Sequence, residues 1–307
     1  MRRRSSNEPR RRDPPASHDQ RETARYFTNL EILSEIPDRF LLRGNPASVR
    51  FLLRPPLASL SVVFSLRSRC ARWKLSRMGR PLRPTDDGLL YHAINRGNDR
   101  RVVFSDDEDH HAFLESLGRT QLRYPFRLYG YCLMSNHFHL LLRPEPGVTI
   151  SRILQSLTVA HTWRFHRRHR STGHVWQGRF KSPVVQDEGH FWAVLRYIEA
   201  NPLRAKMVSD PADHRWSSYL AHGEGRADPL LDSFPEWENL GPDEQSRRAA
   251  WRRKVKSVQP EEEVEAIRRS LRGGMPLGDP AWVESMAAQL GRPLEPRRPG
   301  RPRKAET

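Results

Sequence analysis

The chain has 307 residues and a formal net charge of +17, from 53 Lys or Arg against 36 Asp or Glu. Its 8 Trp, 7 Tyr and 12 Phe predict an ordered core and exclude a chain that is disordered throughout. No apolar stretch approaches the roughly 18–20 residues of a membrane span, and two cysteines are too few for a disulfide-stapled scaffold or a Cys-rich zinc module.

The excess of positive charge indicates a polyanionic partner. Lys and Arg release counter-ions from the phosphate backbone, so nucleic acid is the partner that we expect. Arg far outnumbers Lys, which GC-rich codons also produce, so the charge alone does not decide the matter. No apolar segment closely follows the basic start Met-Arg-Arg-Arg, so no secretory signal is expected and the sequence predicts a cytoplasmic protein without a membrane partner.

Composition divides the chain into four parts. Residues 1–77 are rich in Arg, Pro and Ser, and we expect either a largely disordered basic extension or sequence upstream of a natural start at Met78. Residues 78–225 have regular apolar periodicity and are predicted to form the main domain. Residues 226–296 predict a helical extension, and residues 297–307 predict a largely disordered basic tail.

The periodicity of the main domain predicts its elements in chain order. Strands are predicted at 89–94, 126–133, 137–142 and 184–185, and helices at 106–123, 149–168 and 188–201, the last ended by Pro202. Three further helices are predicted at 244–258, 260–271 and 281–290. The order strand, helix, strand, strand, helix, strand, helix is typical of the split β-α-β arrangement, so we expect an α+β, ferredoxin-like antiparallel sheet with helices on one face and one extra helix.

The sharpest local feature is His137-Phe138-His139 on the third predicted strand. Side chains at i and i+2 share one face of a strand, so both imidazoles point the same way and Phe138 points into the opposite layer. Two ring nitrogens on one strand form two-thirds of a divalent metal site. A chance pair among 13 histidines is the alternative that this motif alone leaves open.

The last helix of the main domain carries Tyr197 and Asn201 at the rim of its apolar stripe. The two residues are four positions apart and therefore stack on one side of a helix. A phenolate can attack a phosphodiester, and a divalent cation would stabilise the charge that develops on the phosphate. The amide oxygen of Asn201 suits Mg²⁺ or Mn²⁺ as a third ligand. The alternative is that Tyr197 is simply an amphipathic residue at the edge of the core.

Several segments together resemble REP-associated tyrosine transposases, members of the single-tyrosine, HUH-type superfamily. They are SNHFHL (135–140), GRFKS (178–182), YIEANPLRA (197–205), MGRPLRP (78–84) and NRGN (95–98). The resemblance implies an HUH endonuclease core, with His137, His139 and Asn201 as metal ligands and Tyr197 as nucleophile. It further implies that the protein nicks and rejoins single-stranded DNA near hairpins, through a 5′-phosphotyrosine and a free 3′ hydroxyl.

Basic and aromatic residues of the chain are candidates for DNA contact. The basic candidates are Arg96, Arg100, Arg164, Arg168, Arg179, Lys181, Arg301 and Arg303. The aromatic candidates for stacking on bases are Trp163, Trp176 and Phe180. The tail PGRPRK (299–304) resembles an AT-hook, but Pro299 stands where the first core Arg belongs.

Two other functions are compatible with the same residues. One is a domesticated regulator that binds DNA hairpins without cutting them. The other is a metal-dependent RNA or phosphoester hydrolase, which would use an activated water molecule and not Tyr197 as the nucleophile. A homodimer and a monomer are both compatible with the sequence, and the transposase interpretation predicts a bacterial, nucleoid-associated protein.

Overall fold

The computed structural model describes residues 88–186 and 189–291. The predicted N-terminal extension, the alternative start at Met78, and the basic tail with Arg301 and Arg303 lie outside these described residues. Within them, no helix is both long enough and apolar enough to cross a membrane.

Four antiparallel strands form the central sheet, in the spatial order β2-β3-β1-β4. The strands are β1 (Leu90–Arg96), β2 (Phe126–Met134), β3 (His137–Pro144) and β4 (Val184–Val185). This order, with a helix between β1 and β2 and another between β3 and β4, is the split β-α-β topology. The predicted ferredoxin-like α+β fold is therefore confirmed.

Six of the eight α-helices in the described residues begin and end within a few residues of the predicted positions, whereas the two four-residue helices at 201–204 and 219–222 were not predicted. The eight helices are α1 (Asp107–Arg123), α2 (Ile150–His169), α3 (Gly189–Glu199), α4 (Asn201–Arg204), α5 (Tyr219–His222), α6 (Glu244–Lys256), α7 (Glu261–Gly273) and α8 (Pro280–Gln289). Side-chain caps begin the two long ones, because Asp106 accepts from the Asp109 amide at 3.2 Å and Thr149 from the Arg152 amide at 3.3 Å.

The sheet is covered on both faces rather than on one. Helices α1 and α2 pack on the face that carries Tyr91, Ala93 and Phe138. Helix α3 packs on the opposite face, against Leu90 and Leu141. The prediction of helices on one face holds for the two crossover helices, and the extra helix α3 supplies the second layer because its strongly apolar stripe must also be buried.

Two helices of the predicted C-terminal extension pack on α3. Trp251 of α6 and Ile267 of α7 lie in the same apolar cluster as Val194 and Ile198 of α3. After α7, Leu277 forms a parallel bridge with Val185, so this segment continues the sheet beyond β4. Beyond that bridge, Trp282 of α8 packs against the cluster on the opposite face, under α1 and α2.

Candidate active site

Three histidines lie on the α3 face of the sheet, on the neighbouring strands β1 and β3. His137 and His139 follow the i, i+2 alternation of β3, while Phe138 between them is buried under α1 and α2. His92 of β1 is their neighbour across the strand pair. The ring centroids of His139 lie 5.0 Å from those of both His92 and His137.

The Nδ1 atoms of the two β3 histidines each have a hydrogen-bond partner. His139 Nδ1 lies 2.8 Å from His92 Nε2, and His137 Nδ1 lies 2.6 Å from the side-chain oxygen of Asn136. The Nε2 atoms of His137 and His139 make no hydrogen bond to the described part of the chain. A histidine held at one nitrogen and open at the other is the arrangement that metal-binding histidines typically adopt.

All three imidazoles are held in the neutral form. Burial lowers the pKa of His92 to about 3, with a further contribution from Arg204. Burial and Arg96 lower the pKa of His137 to about 4. Burial also lowers the pKa of His139 well below its usual value, with help from the two neighbouring histidines and Arg204. Neutral imidazole is the form that binds a metal ion.

Tyr197 of α3 lies on the same face as the histidines. Its ring centroid is 5.8 Å from that of His139 and 6.0 Å from that of His92, and the side chain is 7% exposed. The guanidinium carbon of Arg204 lies 4.0 Å from the ring centroid, and Arg204 Nη2 donates to the Tyr197 carbonyl at 2.8 Å. Arg204 therefore lies over the phenol ring and is also tied to the backbone of Tyr197.

Asn201 is buried one turn beyond Tyr197 but is not part of the same helix. Helix α3 ends at Glu199, and Asn201 begins the short helix α4. The break has a local cause, because Pro202 has no amide hydrogen to continue the α-helical bonding pattern. The side chain of Asn201 makes no hydrogen bond to the described residues, so its amide oxygen is open to a ligand.

Buried polar contacts on both sides of Tyr197 fix α3 in place. The fully buried Glu199 carboxylate accepts from Ser218 Oγ at 2.5 Å, His222 Nδ1 at 2.6 Å and Trp251 Nε1 at 2.7 Å. One residue before the tyrosine, Arg196 donates to the side-chain and main-chain oxygens of Ser257. The position of Tyr197 is thus set by contacts with α5 and α6.

Four of the predicted basic residues lie on exposed surface at or near this end of the sheet. Arg96 pairs with His137 in the strand register and donates to Gln177 Oε1 at 2.9 Å. Lys181 forms a bridge with Ile94, next to His92 in β1. Arg100 and Arg179 are exposed, and Arg100 has a positive φ of 57°.

Other predicted DNA contacts lie away from the histidines. Arg168 of α2 is bound by three carboxylates at 2.7–2.9 Å, those of Asp106, Glu108 and Asp109. Arg164 on the same helix pairs with Glu115 at 3.1 Å. The helix that carries both arginines packs on the opposite face of the sheet from Tyr197, and the structure does not bring them to the site.

Two of the three predicted stacking aromatics belong to the core, so the expectation that they stack on bases is wrong. Trp176 and Phe180 pack in the cluster under α2, and Trp176 donates to the Thr158 carbonyl at 3.1 Å. Their apolar surfaces are already covered by protein. Trp163 is half-buried and carries the guanidinium of Arg167 at 5.1 Å from its ring centroid.

The donors at the site fit a divalent cation. Within residues 88–186 and 189–291, no cluster of three or more His, Cys, Asp or Glu side chains is arranged to hold one. The set formed by His137 Nε2, His139 Nε2 and the Asn201 amide oxygen is of a different kind, with two neutral nitrogens and one neutral oxygen. Such mixed ligands suit Mn²⁺ and Mg²⁺ when further oxygen ligands complete the shell.

Sequence reasoning missed His92 and Arg204 at this site. His92 lies in the apolar run LLYHAI, where alternation puts it on the face of Leu90 and Ile94. Arg204 is part of the YIEANPLRA segment, seven residues after the tyrosine. The alternation of side chains along β1 could have predicted that His92 faces α3. Nothing in the sequence around Arg204 predicts that it lies over the Tyr197 ring.

The central part of the chain is similar to known proteins. Residues 86–201 match the family model described as transposase, IS200 like. A Haemophilus influenzae protein whose name places it among REP-associated tyrosine transposases is 25% identical over 142 residues, covering 43% of this chain and 77% of that protein.

Two solved structures are also similar to the chain. A REP-associated tyrosine transposase bound to a REP hairpin has a TM-score of 0.43 and 16% identity, covering 51% of this chain and 92% of that one. A Deinococcus radiodurans protein described as a transposase has a TM-score of 0.29 and 19% identity, covering 42% of this chain and 92% of that one.

Proposed function

We propose that this protein nicks and rejoins single-stranded DNA beside hairpins, with Tyr197 as the nucleophile, because residues 86–201 match the family model of IS200-like transposases. This match supports the predicted function as a DNA transposase. The tyrosine mechanism, the metal and the hairpin substrate belong to the proposal.

The proposed reaction exchanges one phosphate ester for another. Tyr197 Oη bonds to the phosphorus and loses its proton to solvent, while the bond from phosphorus to the 3′ oxygen breaks and that oxygen takes up a proton. The products are a 5′-phosphotyrosine and a free 3′ hydroxyl. Attack of a 3′ hydroxyl on the phosphotyrosine reverses the step and joins the strands.

A bound Mg²⁺ or Mn²⁺ would polarise the phosphate and neutralise its developing charge. His137, His139 and Asn201 are the residues that would hold it. His92 and Asn136 fix the two imidazoles through their Nδ1 atoms, so that both Nε2 atoms face away from the strand backbone. Arg204 orients the phenol ring by its contact at 4.0 Å.

The proposal rests on one observation, that Tyr197 and the histidines lie on the same face of the sheet. Tyr197 and His139 come from elements almost sixty residues apart, yet their ring centroids lie 5.8 Å apart on one side of the sheet. Had α3 packed with α1 and α2, the sheet would separate the phenol from the imidazoles. The closeness supports one site that combines nucleophile and metal ligands.

The test is adduct formation on a labelled single-stranded hairpin oligonucleotide with Mg²⁺ or Mn²⁺, read on a denaturing gel. The proposal predicts a covalent protein–DNA band that is absent in Tyr197→Phe and present in Tyr124→Phe, a matched loss of a hydroxyl at the far end of α1. Cleavage that survives Tyr197→Phe would instead indicate a hydrolase. Binding without cleavage under any metal would indicate a regulator.

The remaining predictions about partners follow from this function. A DNA transposase of bacterial type would associate with the nucleoid, which agrees with the predicted cytoplasmic location. A homodimer stays a prediction.

A further inference from the structure

Helix α7 lies beside the helix that carries the tyrosine. Its apolar residues Val264, Ile267 and Leu271 share one cluster with Tyr197 and Ile198. Ile267 and Leu271 are each followed directly in the sequence by an arginine. This places a pair of guanidinium groups along the edge of the interface between α7 and α3, one helical turn apart.

A single carboxylate holds that pair of arginines, Arg268 and Arg272. Glu265 accepts from Arg268 at 2.9 Å through one oxygen and from Arg272 at 3.1 Å through the other. Glu261 also accepts from Arg268 at 3.2 Å. Both guanidinium groups keep solvent access, with side-chain exposures of 38% and 63%. Arg272 has Glu265 as its one carboxylate partner among the described residues, and it shares that carboxylate with Arg268.

The two arginines belong to the electrostatic environment of the site. The hydrogen bond to Glu265 raises the pKa of Arg268 against the effect of burial, and the Tyr197 hydroxyl raises it further. Burial lowers the pKa of Lys181, and the charges of Arg96 and Arg272 lower it further.

The basic residues around Tyr197 therefore come from four parts of the chain. Arg204 lies over the phenol ring, and its own pKa is lowered by burial first and also by the charge of Arg268. Arg268 and Arg272 line the α7 side, while Lys181 and Arg96 line the side of the sheet that ends at His137. The positive charge is thus arranged along a path that passes the nucleophile.

We propose that Arg268 and Arg272 bind phosphates of the single-stranded DNA that flanks the bond attacked by Tyr197, with Glu265 as their internal counter-ion in the free protein. Arg is suited to this role because its planar fork matches phosphate oxygens in a bidentate way. The pair lies outside residues 86–201, so the match to the transposase family assigns it no role. The inference rests on the proposed function, since it needs DNA at Tyr197.

The first experiment measures equilibrium binding in the Tyr197→Phe background, where no adduct forms. A fluorescent single-stranded oligonucleotide with a hairpin is titrated with the double variant Arg268→Gln/Arg272→Gln and with Arg269→Gln. Arg269 is the matched control, because it lies in the same helix and is exposed. We expect roughly tenfold weaker binding for the double variant, with a slope of log affinity against log salt lower by about 1.4, since each lost phosphate contact removes about 0.7 for a single strand.

The second experiment tests the counter-ion and does not depend on removing an arginine. Glu265→Gln is compared with Glu262→Gln, an exposed acidic neighbour that makes no ion pair with the described residues. Both changes add one unit of charge to α7. The inference predicts that Glu265→Gln tightens DNA binding by several-fold more than Glu262→Gln. Equal effects of the two changes would contradict it.

Wild-type adduct formation, measured in parallel, separates the two proposals. If the wild type forms the Tyr197 adduct and the double variant binds DNA as Arg269→Gln does, the inference about α7 is wrong and the proposed function stands. If the wild type forms no adduct with either metal, the proposed function fails whatever the binding data show. Unfolding curves of each variant establish that it is folded before binding is compared.

Discussion

The Nδ1 atom of His139 lies 2.8 Å from the Nε2 atom of His92, across strands β1 and β3 in the interior of the protein. Since both imidazoles are neutral, one nitrogen of this pair donates and the other accepts. If His139 bound a cation through Nε2, its Nδ1 would carry the hydrogen and would donate to His92. We therefore propose that His92 positions His139 as a metal ligand.

Replacing His92 by Leu is expected to weaken cation binding by about 10-fold or more, as loss of a residue that orients a ligand typically does. His92→Gln keeps an acceptor near the Nε2 position and is expected to restore much of the affinity. The measurement is an electron paramagnetic resonance titration with Mn²⁺, together with the Mn²⁺ concentration for half-maximal adduct. Equal Mn²⁺ affinity in wild type and His92→Leu would refute this role.

The Glu199 carboxylate, which three donors share, is expected to stabilise the packing of α3 on α5 and α6. Glu199→Gln replaces one acceptor oxygen by a donor and leaves at least one buried donor unpaired, so the free energy of unfolding should fall by about 1–3 kcal/mol. Urea unfolding measures this change. Glu262→Gln, a change of the same kind on an exposed residue, should leave the midpoint within error.

Acidification is expected to destabilise the metal-free protein between pH 6.5 and about 4. Burial lowers the pKa of His161 to about 4, against the raising effect of its bond to the Val103 carbonyl. In this range the unfolded chain binds a proton that the native histidine does not, so the free energy of unfolding falls as pH falls. The stabilisation is fully present above pH 6.5.

His161 lies on the face opposite the candidate metal ligands, so replacing it tests the pH dependence of stability without changing those ligands. Urea midpoints at pH 7.5, 6 and 5 should fall in the wild type, and the fall should be smaller in His161→Gln. For one such histidine the loss by pH 5 is about 2 kcal/mol. A midpoint that stays constant over this range would show that the native histidine takes up its proton as easily as the unfolded one.

Gly130 of β2 lets α3 approach the sheet closely. A Cβ atom at this position would lie 2.3 Å from Leu195 Cδ1, and Leu195 is itself fully buried. Gly130→Ala should therefore destabilise the fold by about 1–3 kcal/mol and reduce adduct formation, because α3 carries Tyr197. Gly189→Ala, at the start of α3 where a Cβ meets nothing within 4 Å, is the control and should be neutral.

Local patterns were sufficient to predict most of the fold. The alternation in β3 placed His137 and His139 on one face because the strand period is two, whatever packs around it. The helices at 149–168 and 260–271 were found from their apolar spacing. The placement of α3 opposite α1 and α2 could not be read in this way, since it depends on which apolar surfaces remain uncovered after the sheet forms.

Contacts between distant residues account for what sequence reasoning missed. A lone histidine in an apolar run, such as His92, is usually a core residue, and its partner His139 lies 47 positions away. Arg168 was a reasonable candidate for DNA contact until the structure placed three carboxylates of α1 and its cap around it. The nearness of α7 to Tyr197 follows from tertiary packing that no spacing rule encodes.

The measurement that tests the central claim most directly is the identity of the residue joined to DNA. After the reaction with a labelled hairpin, nuclease trimming and trypsin release the peptide 197–204, because Arg196 and Arg204 are both trypsin sites. Mass spectrometry should find a nucleotide phosphate on Tyr197. A nucleotide on any other residue, or cleaved DNA with no phosphate joined to protein, would contradict the account.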